Sequence, residues 1–300
     1  PVLTDAAKTA RDGGSVATSQ AFIDVLLAVA ADETLEPAFR AQALSLPSEA
    51  DMARELGGNN DPDAIHTGRQ AVLGAIATAG ADVFHKLYAT HSASGPFSPD
   101  AAGAGKRALK NLALSFLSLA ENTPALAAEA FAKADNMTDM SQALTILAHR
   151  FPDAEETKQA LTAFETRFAS NALVLDKWFT IQATIPGAAS LDRVKVLMTS
   201  PHFQPTNPNR VRSLVGTFAF GNATGFNRAD GAAYAFFAEQ ILAIDPRNPQ
   251  LAARLLTALR SWRLLEAGRA DKARAALATI EASATLSTDV RDIVDRILKG

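Results

Sequence analysis

Leu173-Val174-Leu175-Asp176-Lys177-Trp178-Phe179-Thr180-Ile181 is the stretch on which the fold turns. Its β-branched and aromatic content would suit a buried strand. Its apolar residues do not alternate as a half-buried strand requires, and no second strand candidate nearby could pair with it. The stretch therefore reads as helix, and the chain as a whole as helical.

The flanking sequence supports this. A capping residue followed by proline recurs at Asp61-Pro62, Ser98-Pro99, Thr123-Pro124, Asn207-Pro208 and Asn248-Pro249. Each pair offers a side-chain acceptor for unpaired backbone N–H groups, then a residue whose fixed φ and missing donor suit a first helical turn. Apolar residues follow at helical spacing. Ala71, Ile76, Val83, Phe84 and Leu87 predict one long amphipathic helix after Pro62, and Leu109, Leu112, Phe116 and Leu119 another after Pro99. Phe22, Ile23, Leu26 and Leu27 mark an earlier helix, Leu161, Phe164 and Phe168 a middle one, and Ile293, Val294 and Ile297 after Ser287 the last. Connections such as 57–60 and 221–225 are short and rich in Gly and Asn, so successive helices should run antiparallel. The expected architecture is all-α, an irregular, solenoid-like superhelical array of antiparallel helix pairs, without a strict tetratricopeptide or ankyrin period. One domain over residues 1–300 is expected.

Composition narrows the function. Aromatics make up only 7% of the chain while Ala and Leu are abundant, which favours helix over sheet. A net charge of -3 gives no overall pull toward nucleic acid or an anionic membrane. Cysteine is absent, so disulfides, thiolate nucleophiles and cysteine metal sites are excluded together. No apolar run approaches the roughly 20 residues of a membrane-spanning helix. The start, Pro1-Val2-Leu3-Thr4-Asp5, has neither a basic region nor an apolar core and begins with Pro, which reads as a fragment of a longer chain. A cytoplasmic location is expected.

The chemistry-bearing motifs are mostly missing. His66, His85, His91, His149 and His202 never fall one helical turn apart with an intervening glutamate, so no zinc protease motif exists here. No G-x-S-x-G elbow is present. Ala102-Gly103-Ala104-Gly105-Lys106-Arg107 is glycine-rich but lacks P-loop spacing and a preceding strand, and reads as a helix's first turn. Glu155-Glu156 after Pro152-Asp153 suits the positive end of a helix dipole, and Trp262-Arg263 with Arg260 and Arg269 reads as dipole compensation near a helix end. No catalytic residue and no metal ligand is assigned.

Phe203-Gln204-Pro205-Thr206-Asn207-Pro208-Asn209-Arg210-Val211-Arg212-Ser213-Leu214 stands out instead. Arg210 and Arg212 fall in the first turns of a helix, where positive side chains oppose the dipole, so something must compensate them. A carboxylate held through both oxygens would do so. An ordinary cap with a surface ion pair would serve as well.

Residues 207–214, preceded by Leu173–Phe179 and Asn136-Met137-Thr138-Asp139, resemble the C-terminal region of bacterial aminopeptidase N, in the gluzincin family of zinc metallopeptidases. Leu44-Ser45-Leu46-Pro47-Ser48, Lys106-Arg107-Ala108-Leu109-Lys110-Asn111 and Arg247-Asn248-Pro249-Gln250 extend the likeness, colinearly, from about residue 20 to the end. Over residues 1–19 it is weaker. The resemblance implies a helical cap over a separate catalytic domain of the same polypeptide, and zinc belongs to that domain. The parent enzyme would remove N-terminal residues from short peptides. Carried over position by position, Arg212 and Arg254 would line the substrate chamber, Asn207 and Asn209 would cap and orient the helix, and Arg210 would support it. Val211 stands where isoleucine is usual. The competing reading is an independent helical-repeat scaffold for proteins or peptides.

Overall fold

A computed structural model of the chain describes residues 1–92 and 97–299. Among them there is no β-strand, and the one extended pairing is an isolated parallel bridge between Asn60 and Leu265. The all-α reading holds. The deciding stretch lies in the helix Ala172–Ala183, whose cap, Asn171, accepts a hydrogen bond from the Val174 N–H at 3.2 Å. Leu175, Trp178, Phe179 and Gln182 are buried at the three- and four-residue spacing of one helix face, while Leu173 on the first turn is 73% exposed. Ile185 precedes a proline, which disfavours helical backbone and ends the element.

Three of the five cap-proline pairs start helices as expected, at Pro62–Ala79, Pro208–Val211 and Pro249–Leu256. The other two are shifted. The Ala101–Glu121 helix is capped by Asp100, which accepts the Gly103 N–H at 2.7 Å, and Ser98 donates to Asp100 instead of capping. The Ala125–Lys133 helix begins after Pro124. The long helix expected after Pro62 is divided at Gly80 into Pro62–Ala79 and Ala81–Ser92, and Leu27 and Phe84 press against the place a Cβ would take at Gly80. Val72 is buried there while Ala71 and Val83 are partly exposed.

Two compact units emerge, one of Pro1–Met52 with Ala64–Thr166, the other of Ala53–Asp63 with residues from Arg167 onward. In the first, the Ala101–Glu121 helix is the hub, packed by Ala81–Ser92, Pro37–Ala43 and Met137–Arg150. Phe84 and Phe116 stack at 4.4 Å in its centre. An N-terminal helix, Val2–Arg11, was not expected; it buries Leu3, Ala6 and Ala7. Gly68 admits it, since a Cβ there would lie 2.6 Å from the Ala7 nitrogen. Asn136 caps the Met137–Arg150 helix and also donates to buried Asp139, which accepts from Lys110 and, at 2.8 Å, from Asn111.

In the second unit, Ala232–Ile244 packs on Pro249–Leu256 and Ala267–Glu281, and Thr288–Lys299 covers both of the latter. The 53–63 segment joins this unit through Asn60, whose N–H reaches the Leu264 carbonyl at 2.8 Å and whose carbonyl accepts the Glu266 N–H at 2.9 Å. Buried Arg269 then binds Asp61 at 3.1 Å, Asp63, and Glu266 at 3.3 Å.

Candidate functional site

The Asn207-Pro208 start opens a helical run from Pro208 to Gly221 that widens to a π-helical turn over Arg212–Gly216. The extra residue in that turn carries the Thr217 N–H to the Arg212 carbonyl, which also accepts the Thr217 hydroxyl at 3.1 Å. Such bulges are frequent at functional sites because they re-aim the side chains that follow. Asn207 caps the run as the sequence suggested, accepting from the Asn209 and Arg210 N–H groups at 3.0 and 3.4 Å.

Arg210 and Arg212 are compensated in different ways. Arg210 is only 5% exposed; its guanidinium meets Asp176 at 2.6 Å, donates to the Ala172 carbonyl at 3.2 Å and lies over the Phe179 ring. Ser213 donates to the same Asp176 oxygen at 3.0 Å, and Thr180 donates to the Ser213 carbonyl at 3.3 Å. Asp176 is thus the counter-ion the two-arginine pattern demanded. It stood in the stretch that decides the fold, a lone acid in an apolar helix, and its role there was missed.

Arg212 is exposed and donates to the Asn209 side-chain oxygen at 3.1 Å. Asn209 therefore does not cap; it steers the guanidinium one turn on, which corrects the capping half of its expected role. Arg254 is also exposed, and neither Arg212 nor Arg254 has a carboxylate partner among the described residues. The two sit on neighbouring elements. Gly216 closes the gap, with the position of a Cβ there 3.0 Å from Leu255 Cδ2 and 3.8 Å from Arg212 Cβ. A side chain at 216 would crowd Leu255 on the helix that carries Arg254.

The remaining candidates resolve structurally. His85 pairs with Glu121 at 3.2 Å and His66 with Glu49 at 2.6 Å, and no group of three or more His, Cys, Asp or Glu able to hold a metal occurs among the described residues. The glycine-rich stretch is helical from Ala101, and hydrogen bonds from the Gly103 N–H and Ser98 hydroxyl hold the capping Asp100 below the usual carboxylate range. Glu155 and Glu156 occupy the first turn of Glu155–Phe168. Arg263 and Trp262 donate to the Ile297 carbonyl at 2.7 and 3.2 Å, closing the negative end of the last helix as dipole compensation predicts. Arg269 serves the 53–63 segment instead. Beside it, Tyr234 donates to Asn227 at 2.8 Å, and burial pushes its phenol well above the ordinary range.

Comparison with known proteins agrees with this architecture. Aminopeptidase N of Caulobacter vibrioides is 39% identical over 300 residues, covering 99% of this chain and 34% of that protein. Aminopeptidase N of Escherichia coli is 36% identical over 278 residues, covering 92% of this chain and 31% of that protein. The crystal structure of Legionella pneumophila aminopeptidase A in complex with aspartic acid superposes with a TM-score of 0.88 at 28% identity, over 99% of this chain and 36% of that one. The chain spans about a third of the length of these relatives, and it corresponds to their C-terminal helical region. The likeness also reaches back beyond residue 20, in keeping with the packed Val2–Arg11 helix. Across residues 2–299 the sequence matches the family described as "Domain of unknown function (DUF3458_C) ARM repeats", and the chain belongs to that family of helical-repeat domains.

Proposed function

We propose that this chain is the C-terminal cap of a zinc-dependent aminopeptidase that removes N-terminal residues from short peptides, and that it acts as one functional domain. The observation that carries the reading is a pair of exposed guanidiniums, Arg212 and Arg254, without carboxylate partners among the described residues, on elements that meet where Gly216 faces Leu255. Guanidinium binds carboxylate through two parallel N–H···O bonds, so the pair suits the carboxyl end or polar backbone of a short peptide. Asn209 holds Arg212 in position and the Arg210–Asp176 pair fixes the turn beneath it. A closed chamber would select peptides by length and strengthen the electrostatics inside it by excluding water.

The residues present do not fit a zinc ion, since the histidines are dispersed and no ligand cluster forms among the described residues. Zinc is therefore assigned to the part of the parent polypeptide outside this sequence, and this chain contributes binding and positioning. Among the described residues no helix is long and apolar enough to cross a membrane. A cytoplasmic enzyme is the reading we favour.

The test replaces Arg212 and Arg254 by Ala in the full-length polypeptide. Transition-state binding lost with one charge-assisted contact corresponds to a roughly 10- to 100-fold lower kcat/KM. That loss is expected on peptides of three or more residues, with little change on a single-residue amide that lacks the distal carboxylate. Equal kinetics on both substrates for wild type and variants would refute the carboxylate anchor.

A further inference from the structure

A cavity of about 240 Å³ lies in the second unit, between the start of the 208–221 run, the end of Ala232–Ile244 and the start of Pro249–Leu256. Its wall is apolar, with Phe203, Val211, Val215 and Leu251 all buried. One side of the wall is tied to the Arg210–Asp176 pair. Phe203 packs edge-on against Phe179 at 6.1 Å, and Phe179 is the ring over which Arg210 is clamped. A preformed apolar hollow with a few polar groups at its rim is the usual form of a small-molecule site.

The rim fixes the chemistry of the occupant. Arg247 is the one charged residue lining the cavity, and its guanidinium has no carboxylate or carbonyl partner among the described residues. The adjacent acid in sequence, Asp245, is buried and already taken by the Ser287 N–H at 2.9 Å and the Ser287 hydroxyl. Asn248 spends its side-chain oxygen on the Leu251 N–H at 3.0 Å. No acidic side chain lines the hollow, so an ammonium group would find no counter-charge there.

We propose that this cavity binds a small apolar monocarboxylate, its tail against Val211, Val215 and Leu251 and its carboxylate on the Arg247 guanidinium. A free amino acid is disfavoured because its ammonium would be desolvated without a partner. A neutral alcohol of equal length gains the tail contacts and forgoes the charge.

Isothermal titration of the protein with n-alkanoates from butanoate to octanoate tests this, with 1-octanol and leucine as comparators. Affinity should rise roughly fourfold per methylene while the tail still fits. Octanoate should exceed both comparators. Arg247→Gln should weaken octanoate roughly fivefold, the scale of one solvent-exposed ion pair, and leave octanol unchanged. Ala243→Trp, at an exposed lining position, should block all binding without disturbing the core. Absence of saturable octanoate binding overturns the proposal. So does octanoate binding that survives Ala243→Trp, affinity indifferent to Arg247→Gln, or leucine binding as tightly as octanoate.

Discussion

In the first unit the Val2–Arg11 helix lies directly on Gly68, backbone against backbone. In the second, buried arginines are held by acids, Arg210 on Asp176 and Arg269 on Asp61, Asp63 and Glu266. The two constructions fail differently. A helix seated on a glycine fails by steric exclusion when a side chain is added. A buried ion pair fails when one partner is removed and the other charge is left in a medium that solvates it poorly.

The largest effect should therefore come from breaking a pair in the second unit. Asp176→Ala strands Arg210 and removes the acceptor of Ser213. A loss of about 3–5 kcal/mol in denaturant unfolding is expected. The double variant Asp176→Leu with Arg210→Met should recover most of it, because two apolar groups leave no unpaired charge. If the double variant unfolds as readily as the single one, geometry at the π-helical turn, and not the charge, is what the pair protects.

Gly68→Ala probes the other construction. Helix propensity alone predicts stabilisation by about 1 kcal/mol, whereas overpacking against the Ala7 nitrogen predicts a loss of about 1–3 kcal/mol. We expect a net loss of about 1–2 kcal/mol. Deleting residues 1–11 should remove the steric part, so that the same substitution then stabilises.

Among the ion pairs of the first unit, Lys110–Asp139 is well shielded from solvent, and pH separates it from the packing around it. Burial would raise the pKa of Asp139, yet hydrogen bonds from Lys110, Asn136 and Asn111 outweigh it and hold the carboxyl below its ordinary 3.8. A depressed folded-state pKa stabilises above the unfolded value and is lost as pH falls through the folded one. Melting temperature should thus drop below about pH 3.8, and Asp139→Asn should flatten that limb while lowering stability at neutral pH. An unchanged acid limb in the variant would assign it to other carboxylates.

Which of these features a sequence reveals follows from their range. Local signals were legible: the non-alternating 173–181 run, the caps at Asn207 and Asn248, the acidic first turn at Glu155, and the dipole compensation at Arg263. Boundaries slipped where a second acceptor competed, as when Asp100 outbid Ser98 for the Ala101–Glu121 cap. The Val2–Arg11 helix was missed because it opens at Pro1 without a side-chain cap, so no local start signal marks it, and the Gly68 surface that receives its Leu3, Ala6 and Ala7 face lies far off in sequence. Contacts between residues distant in sequence were invisible. The charge pattern showed that Arg210 and Arg212 needed compensation, but not that Asp176 supplies it for one of them 34 residues earlier. The resemblance pointed to Arg212 and Arg254, whereas the meeting of their two elements, where Gly216 faces Leu255, was not legible.

Arg210 and Arg212 give the sharpest form of the comparison, because two residues on one helical run separate a buried cation from an exposed one. Arg210→Ala leaves Asp176 unpaired and should cost about 3 kcal/mol. Arg212→Ala forfeits a single exposed hydrogen bond to Asn209 and should change stability by less than about 0.5 kcal/mol. Evolution of a folded domain has no stability reason to keep an arginine of the second kind, so its retention would rest on what it binds. Measured side by side, unfolding should respond only to the first substitution, and peptide turnover in the full-length polypeptide should respond to the second without any loss of fold. A large unfolding cost for Arg212→Ala would make it a structural residue of the π-helical turn, and the chamber would then depend on Arg254 alone.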